Sequence, residues 1–369
     1  MLQWVALAVD DPGSLLAVPA EVKLRGGPAA ATVIVHLGGE STRNRSAAIT
    51  VSLDHLLRTA TGTIRRFRLT FLSLGSALSS KSSPHLMEYS TGAMGGVEQR
   101  VETPHSFTAR MCAASRWIES QRRDSLFNEP QAYKLAGTEG RNQPMGEWIM
   151  VPRTRFGDDY LRDHYARGVR QLVMLGAGFD ARAYRMEGLP DLHVYEVDQQ
   201  TTFDVKEPLL KDERITVANR SVVATEFTER GRWGADLEEA GLNPTLPTVW
   251  LLEGLLMYLT LEDTKLLMAE IGRLSGPGSA VFHDACSASY VAGGRGPVVG
   301  GAKFLGGSDE YGQLWASYAG FHRSFVRNFE SIRVDRKNRN IVIDERSPEA
   351  TAAQCRGRPV VLFVTAEKA

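Results

Sequence analysis

From Arg170 onward, short runs of β-branched and large apolar residues alternate with stretches whose apolar positions recur at helical spacing. QLVML (Gln171–Leu175), HVYEV (His193–Val197), ITVA (Ile215–Ala218), TVWLL (Thr248–Leu252) and AVFH (Ala280–His283) predict five strands. Helices are predicted between them at about Thr201–Lys211, Trp233–Ala240 and Leu261–Leu274. Continuous apolar strands are buried on both faces, and their alternation with helices predicts βαβ units. The expected fold class is α/β, a doubly wound, mostly parallel sheet over residues 168–369. Near the end of the chain, Ile341–Ile343 and Val360–Thr365 are predicted to pair as a hairpin at one sheet edge.

Upstream, Phe107, Met111, Ala114, Trp117 and Ile118 have an approximately helical spacing within Ser106–Arg123, with Ser106 or Thr108 available as cap. A second helix is predicted around Arg155–Arg167, and a polar, glycine-containing loop over Gly137–Gly146. Residues 96–167 thus read as a helical cap. Residues 1–95 are dominated by Gly, Ala, Ser and Thr, with no sustained helical or strand repeat, and read as a disordered or targeting extension. Between His55 and Met87 there is no Asp or Glu, while Arg58, Arg65, Arg66, Arg68 and Lys81 sit among hydroxyl residues. That is the composition of a transit peptide, displaced here by the acidic Asp10, Asp11, Glu21 and Glu40 that precede it.

Composition narrows the partners. The 369 residues carry 43 Lys+Arg against 43 Asp+Glu, so no net charge points to nucleic acid or an anionic membrane surface, and a small-molecule or peptide partner is expected. Cys112, Cys286 and Cys355 are odd in number and far apart, suiting neither a disulfide framework nor a zinc knuckle. No apolar run reaches the roughly 18 to 20 residues of a membrane span. A cytoplasmic protein is expected, with organelle targeting open because of the basic segment.

The sharpest chemical feature is Leu175-Gly176-Ala177-Gly178-Phe179-Asp180-Ala181-Arg182, a glycine loop following a strand. Glycines there let a ligand approach the backbone, and the next helical turn offers free N–H groups; a tight structural turn looks the same. Glu196 and Asp198 close the second predicted strand, where an acidic side chain can accept hydrogen bonds from ribose hydroxyls. An ordinary solvated strand end is the alternative for either. This much fits a nicotinamide dinucleotide in an oxidoreductase as well as S-adenosylmethionine.

RQLVMLGAGFDARAYRM, then VYEVDQ and WLLEGLLMYL, together with SFTARMCAASRWIESQRRDSLFNEPQAYKLAG and VPRTRFGDDYL upstream and LSGPGS and VLFVTAEK downstream, resemble the leucine carboxyl methyltransferases and the related polyketide O-methyltransferases. The resemblance covers about residues 100–369. It implies a Rossmann-like sheet of about seven strands and a methyltransferase using S-adenosylmethionine on a carboxylate or hydroxyl. A fold kept only as a binding module is a further alternative. It also implies that Gly176, Ala177 and Gly178 meet the cofactor, Asp198 holds the ribose, Arg153 pairs with the methionine carboxylate and Glu253 lies beside the cofactor's amino acid portion. Without the cofactor roles, Arg153 would pair with Asp158 or Asp159, and Glu253 would cap the helix starting near Leu261. Where the family has an acidic residue near the adenine after the third strand, this chain has Val217-Ala218-Asn219-Arg220, which makes Asn219 the adenine candidate. Arg110 is a second match for a cofactor-carboxylate ligand. A hydroxyl acceptor would need a base, for which Tyr258 and His283 are candidates. The glycine-rich stretch 292–307 follows the fifth predicted strand and is either a mobile lid or acceptor-binding loop, or a disordered insertion without catalytic role.

Overall fold

The computed structural model describes residues 104–227, 232–294, 296–344 and 357–369, together with the backbone of four strands within residues 2–51. The chain divides into two units, Met1–Gly96 and Val97–Ala369.

In the first unit, Leu2–Ala8, Leu15–Arg25, Ala31–Leu37 and Ser46–Val51 pair antiparallel in chain order. Residues 2–51 therefore form a meander where the sequence reading found no sustained strand repeat. Neighbouring antiparallel strands need only short β-prone runs, such as Thr32–Val35. The basic stretch 55–87, read as a targeting segment, lies outside the described residues.

The second unit holds a seven-stranded sheet. Its strands are β1 (Gln171–Leu175), β2 (His193–Asp198), β3 (Asn219–Ala224), β4 (Thr248–Leu252), β5 (Ala280–Cys286), β6 (Phe321–Asn328) and β7 (Val361–Lys368). The spatial order is β6-β7-β5-β4-β1-β2-β3. Strands β1 to β5 are parallel to their neighbours in that set, whereas β7 runs antiparallel between β5 and β6. Helices α1 (Pro104–Ser120), α2 (Ala132–Asn142) and α3 (Glu147–Ala166) precede the sheet, and α4 (Gln200–Leu210), α5 (Arg232–Glu239) and α6 (Leu261–Arg273) alternate with its strands.

Three local expectations are corrected. The apolar run ITVA is not the third strand; it is the approach to it, with Thr216 N–H donating to Ala183 O at 2.9 Å. The strand itself is Asn219–Ala224, an edge strand whose polar, half-exposed pattern hides it in sequence. Ile341–Ile343 does not pair with the last strand; Asn340–Ile343 pairs with Ile332–Asp335. The last strand instead enters the sheet beside Phe321–Asn328, which its arginines and exposed positions disguised. Finally, α2 occupies much of the expected polar loop, bending at Gly137, whose φ of 58° suits a residue without Cβ.

Side chains alternate across the strands and divide the core into two layers. Met174, Val194, Leu251, Phe282 and Phe363 face one side, against Ala113, Ile149 and Phe156 of the cap helices. Val173, Tyr195, Trp250, Val281 and Val364 face the other, against Trp233 of α5 and Leu267 and Met268 of α6.

Every residue of these clusters belongs to the second unit. A chain lacking residues 1–96 is therefore expected to keep its main melting transition within about 3 °C, the shift that roughly 1 kcal/mol produces in a domain of comparable size. Calorimetry of both chains checks this, and a truncated chain without a cooperative transition would refute it.

Candidate active site

A cavity of about 420 Å³ lies between the cap helices and the segments that follow β1, β2, β4 and β5. Its floor is the glycine loop. Gly176 and Gly178 have φ of +69° and +48°, and a Cβ at Gly176 would come within 3.1 Å of Leu255 Cδ1. The N–H groups of Gly176 and Ala177 donate to Val197 O at 2.9 and 3.0 Å, tying the loop to β2.

Asp198, at the end of β2, also secures this loop. Its Oδ2 accepts from Gly178 N at 2.7 Å, while Oδ1 accepts from Gln199 N at 2.7 Å and Thr202 Oγ1 at 2.9 Å. Burial holds its carboxyl above the ordinary range, against the pull of those donors. Glu196, two residues earlier on the same face of β2, does not reach the cavity wall. It is fully buried and held by Lys206 Nζ at 2.6 Å and Arg220 Nη2 at 2.7 Å. Of the two acids considered for the ribose, only Asp198 lines the cavity.

Beneath the cavity runs a chain of alternating charges. Arg116 of α1 meets Glu129 at 2.7 Å, Glu129 meets Arg185 at 2.8 Å, Arg185 meets Asp158 of α3 at 2.6 Å, and Asp158 meets Arg182 at 2.8 Å. Arg182 also pairs with Asp180 and reaches Glu253 Oε1 at 2.7 Å. Room for that last contact comes from Gly157 of α3, where a Cβ would sit 2.4 Å from the same oxygen. Glu253 Oε2 lies 3.5 Å from Arg153 Nε, and Arg153 Nη1 donates to Asp284 Oδ2 at 2.8 Å. Asp284 Oδ1 accepts from Gly254 N at 2.6 Å.

Two atoms in this chain stand out. Glu253 Oε1 and Arg153 Nε are buried and make ion-pair contacts but no aligned hydrogen bond, and both residues line the cavity. Arg153 Nη2, moreover, turns toward soft sulfur atoms, Met150 Sδ at 3.1 Å and Cys112 Sγ at 3.8 Å. Burial pushes the Glu253 carboxyl up to about 7, with Arg182 and Arg153 opposing it. Neither alternative role for these residues is realised. Asp158 belongs to Arg182 and Arg185, Asp159 to Arg155, and α6 is capped by Thr260, whose Oγ1 accepts from Asp263 N at 3.2 Å.

Other sequence candidates fall elsewhere. Asn219 is exposed at the amino end of β3, opposite His193 at the start of β2, and does not line the cavity; the misplaced third strand put it there. The carboxyl end of β3 instead brings Glu226 and Phe227 to the wall. His283 is not at a strand end, because β5 continues to Cys286. Its ring is fully buried on the far face, where Nε2 accepts from Trp315 Nε1 at 2.9 Å and burial lowers its pKa to about 4. Its neighbour Asp284 points the other way, into the cavity, as alternation along a strand requires. Arg110 donates to Leu135 O at 3.2 Å and is not part of the wall. Tyr258 does line the cavity, and burial raises its pKa, so it keeps its proton.

The glycine-rich segment forms a small hairpin, Val298–Val299 with Ala302–Lys303. Phe304 N donates to Pro297 O at 2.9 Å, and Leu305 N to Met257 O at 2.7 Å. Gly300 at the turn rests on α1, where a Cβ would lie 2.7 Å from Thr108 Cγ2. Pro297, Val299 and Phe304, within the glycine-rich stretch that the sequence singles out, thereby complete the cavity wall, together with Trp148 and Tyr290, which it does not.

Residues 109–272, less than half of the chain, match the leucine carboxyl methyltransferase family, and over that stretch the chain is similar to it. Three relatives carry the name "Putative S-adenosyl-L-methionine-dependent methyltransferase". That of Mycolicibacterium vanbaalenii is 40% identical over 181 residues, 47% of this chain and 60% of its own length. Those of Streptomyces coelicolor and Frankia alni are 37% and 36% identical over 188 residues, again 47% of this chain and 66% and 65% of their own lengths. The chain thus spans somewhat less than two thirds of the relatives it matches. Among the described residues, no helix is long and apolar enough to cross a membrane.

The raised Glu253 carboxyl makes stability depend on pH. In the folded chain it titrates near about 7, against an ordinary value of 4.5, so stability is full below 4.5 and is lost as the pH rises through 7. The loss amounts to at most about 3 kcal/mol. Glu253→Gln lacks this titration. The melting temperature of the variant relative to the unsubstituted protein is expected to rise between pH 5 and pH 8; a difference independent of pH would show that Glu253 does not titrate in that window.

Proposed function

We propose that the chain is an S-adenosylmethionine-dependent methyltransferase that acts on an oxygen of a small-molecule acceptor. The observation that carries this reading is the meeting of Glu253 and Arg153, a buried carboxylate and a guanidinium 3.5 Å apart, at the wall of one cavity whose glycine loop is secured by Asp198. Side by side they suit the ammonium and carboxylate of an amino acid, which would add directed hydrogen bonds where Glu253 Oε1 and Arg153 Nε have only ion-pair contacts. On the other side of β1, Asp198 and Glu226 supply acceptors for a nucleoside and Phe227 an apolar wall.

The charge of the wall supports the same ligand over a nicotinamide dinucleotide. Five carboxylates line the cavity, Asp180, Asp198, Glu226, Glu253 and Asp284, against three guanidiniums, Arg116, Arg153 and Arg182, each paired with a carboxylate. Such a wall favours a ligand with net positive charge and disfavours a pyrophosphate.

When bound, S-adenosylmethionine supplies a methyl group on a positively charged sulfur, a leaving group that needs no acid. The chain has to hold the partners in line and keep water away. Asp198 fixes the loop beneath the nucleoside, Arg182 and Asp284 hold Glu253 and Arg153 in place, and the hairpin at 298–303 covers the acceptor side. The buried, neutral His283 takes no part.

Calorimetry with S-adenosylhomocysteine and with NAD tests the cofactor, and binding of NAD alone would overturn the reading. Arg153→Lys keeps the charge and loses the planar fork, so it is expected to weaken S-adenosylhomocysteine binding by about tenfold or more. It should leave 5′-methylthioadenosine, which has no amino acid carboxylate, within about twofold. Equal losses for both ligands would remove Arg153 from the amino acid end.

A further inference from the structure

We infer that the end of the cavity walled by Tyr258, Tyr290 and Phe304 is the acceptor subsite, and that it takes an uncharged, planar aromatic compound bearing a hydroxyl group. Naming it the acceptor end rests on the methyltransferase reading; the chemistry of the subsite does not.

Place comes first. Tyr258 follows β4 and Tyr290 follows β5, whereas Asp198, Glu226 and Phe227 follow β2 and β3. Because β1 stands between β4 and β2 in the sheet, the aromatic cluster and the nucleoside acceptors occupy opposite ends of one cavity.

Shape comes next. The ring of Phe304 stands edge-on to Tyr258, with centroids 5.2 Å apart and an interplanar angle of 89°. It is tilted 31° from Tyr290 at 6.5 Å. Two rings nearly at right angles form a corner in which a third flat ring meets one face and one edge, the arrangement that aromatic groups prefer. Phe304 is fixed in this corner by the hairpin, through its N–H to Pro297 O and the adjoining Leu305 N–H to Met257 O.

Charge decides between a carboxylate and a hydroxyl. A carboxylate acceptor, such as the end of a peptide, would need a cation to offset its loss of water. Arg153 is assigned to the carboxylate of the cofactor, Arg116 and Arg182 pair with Glu129 and Asp158, and the described wall carries more carboxylates than guanidiniums, so none of its guanidiniums is left for an acceptor carboxylate. A neutral hydroxyl compound meets no such repulsion. Transfer to it forms one C–O bond, breaks the sulfonium C–S bond with the electron pair remaining on sulfur, and passes the hydroxyl proton to one of the carboxylates of the cavity wall, since Tyr258 keeps its own proton and His283 lies on the far face.

The probes are 2-naphthol and 2-naphthoate, which share a ring body and differ in charge at pH 7.5. Each is titrated by fluorescence into the full chain, with and without S-adenosylhomocysteine. Binding of 2-naphthol at least about tenfold tighter than 2-naphthoate is expected, with a loss of about fivefold or more for 2-naphthol in Phe304→Ala and a smaller loss in Phe304→Leu. S-adenosylhomocysteine affinity should stay within about twofold in both variants. Equal or tighter binding of 2-naphthoate, or unchanged 2-naphthol binding in folded Phe304→Leu and Phe304→Ala, would overturn the assignment. Selective 2-naphthol binding in a chain that binds no S-adenosylhomocysteine would support the subsite and refute only the methyltransferase reading.

Discussion

The arrangement of this molecule rests on the buried row of alternating arginines and carboxylates from Arg116 to Asp284. Its members come from α1, from the segment before α2, from α3, from the turn after β1, from the end of β4 and from β5, so every layer around the cavity contributes a charge. A buried ion pair stabilises little relative to apolar side chains of the same volume, yet removing one partner costs roughly 3 to 5 kcal/mol. The row therefore acts chiefly on geometry. Apolar cap helices can slide on an apolar sheet at small cost, but a helix bearing Arg153 and Asp158 has one position in which both are paired.

The same row explains the chemistry at its end. Inside the row each carboxylate sits between two guanidiniums; at the cavity the contacts loosen, with Glu253 Oε2 3.5 Å from Arg153 Nε, and Glu253 Oε1 and Arg153 Nε make ion pairs without an aligned hydrogen bond. Rigid neighbours hold those atoms in place, so a ligand meets them without further ordering of the chain. The loop fixed by Asp198 offers the same economy on the nucleoside side, since its N–H groups are tied to β2 before any ligand arrives.

How far the sequence discloses this depends on what each element faces. β1 and β4 are buried on both sides and read as unbroken apolar runs, so their bounds could be read to the residue. β3 lies at the sheet edge with Asn219, Val222 and Ala224 exposed, and a more apolar run four residues earlier competes with it. That shift moved Asn219 to the wrong end of the sheet and hid Glu226 and Phe227. Ending β5 at His283 rather than Cys286 had a similar cost. It presented a core histidine as a candidate base and left Asp284 unassigned, although strand alternation from Phe282 would have sent Asp284 to the cavity face. Gly176, Gly178, Asp198, Arg153 and Glu253 were legible because they lie in ordered motifs. The aromatic corner was legible only in part: Tyr258 and the stretch 292–307 were candidates, but nothing in the spacing of Tyr258, Tyr290 and Phe304 announces that a hairpin brings them together.

The antiparallel strand β7 has a consequence for biogenesis. Residues 361–368 slot between β5 and β6, so the two strands that flank the gap are synthesised well before the strand that fills it. Until then β5 and β6 each present an open edge, the kind of surface that pairs with other chains. The arginines Arg323 and Arg327 on β6 place charge along that waiting edge. A ribosome stalled between residues 328 and 361 would hold a sheet in two parts, with an assembled glycine loop on one side of the gap and an orphan strand on the other.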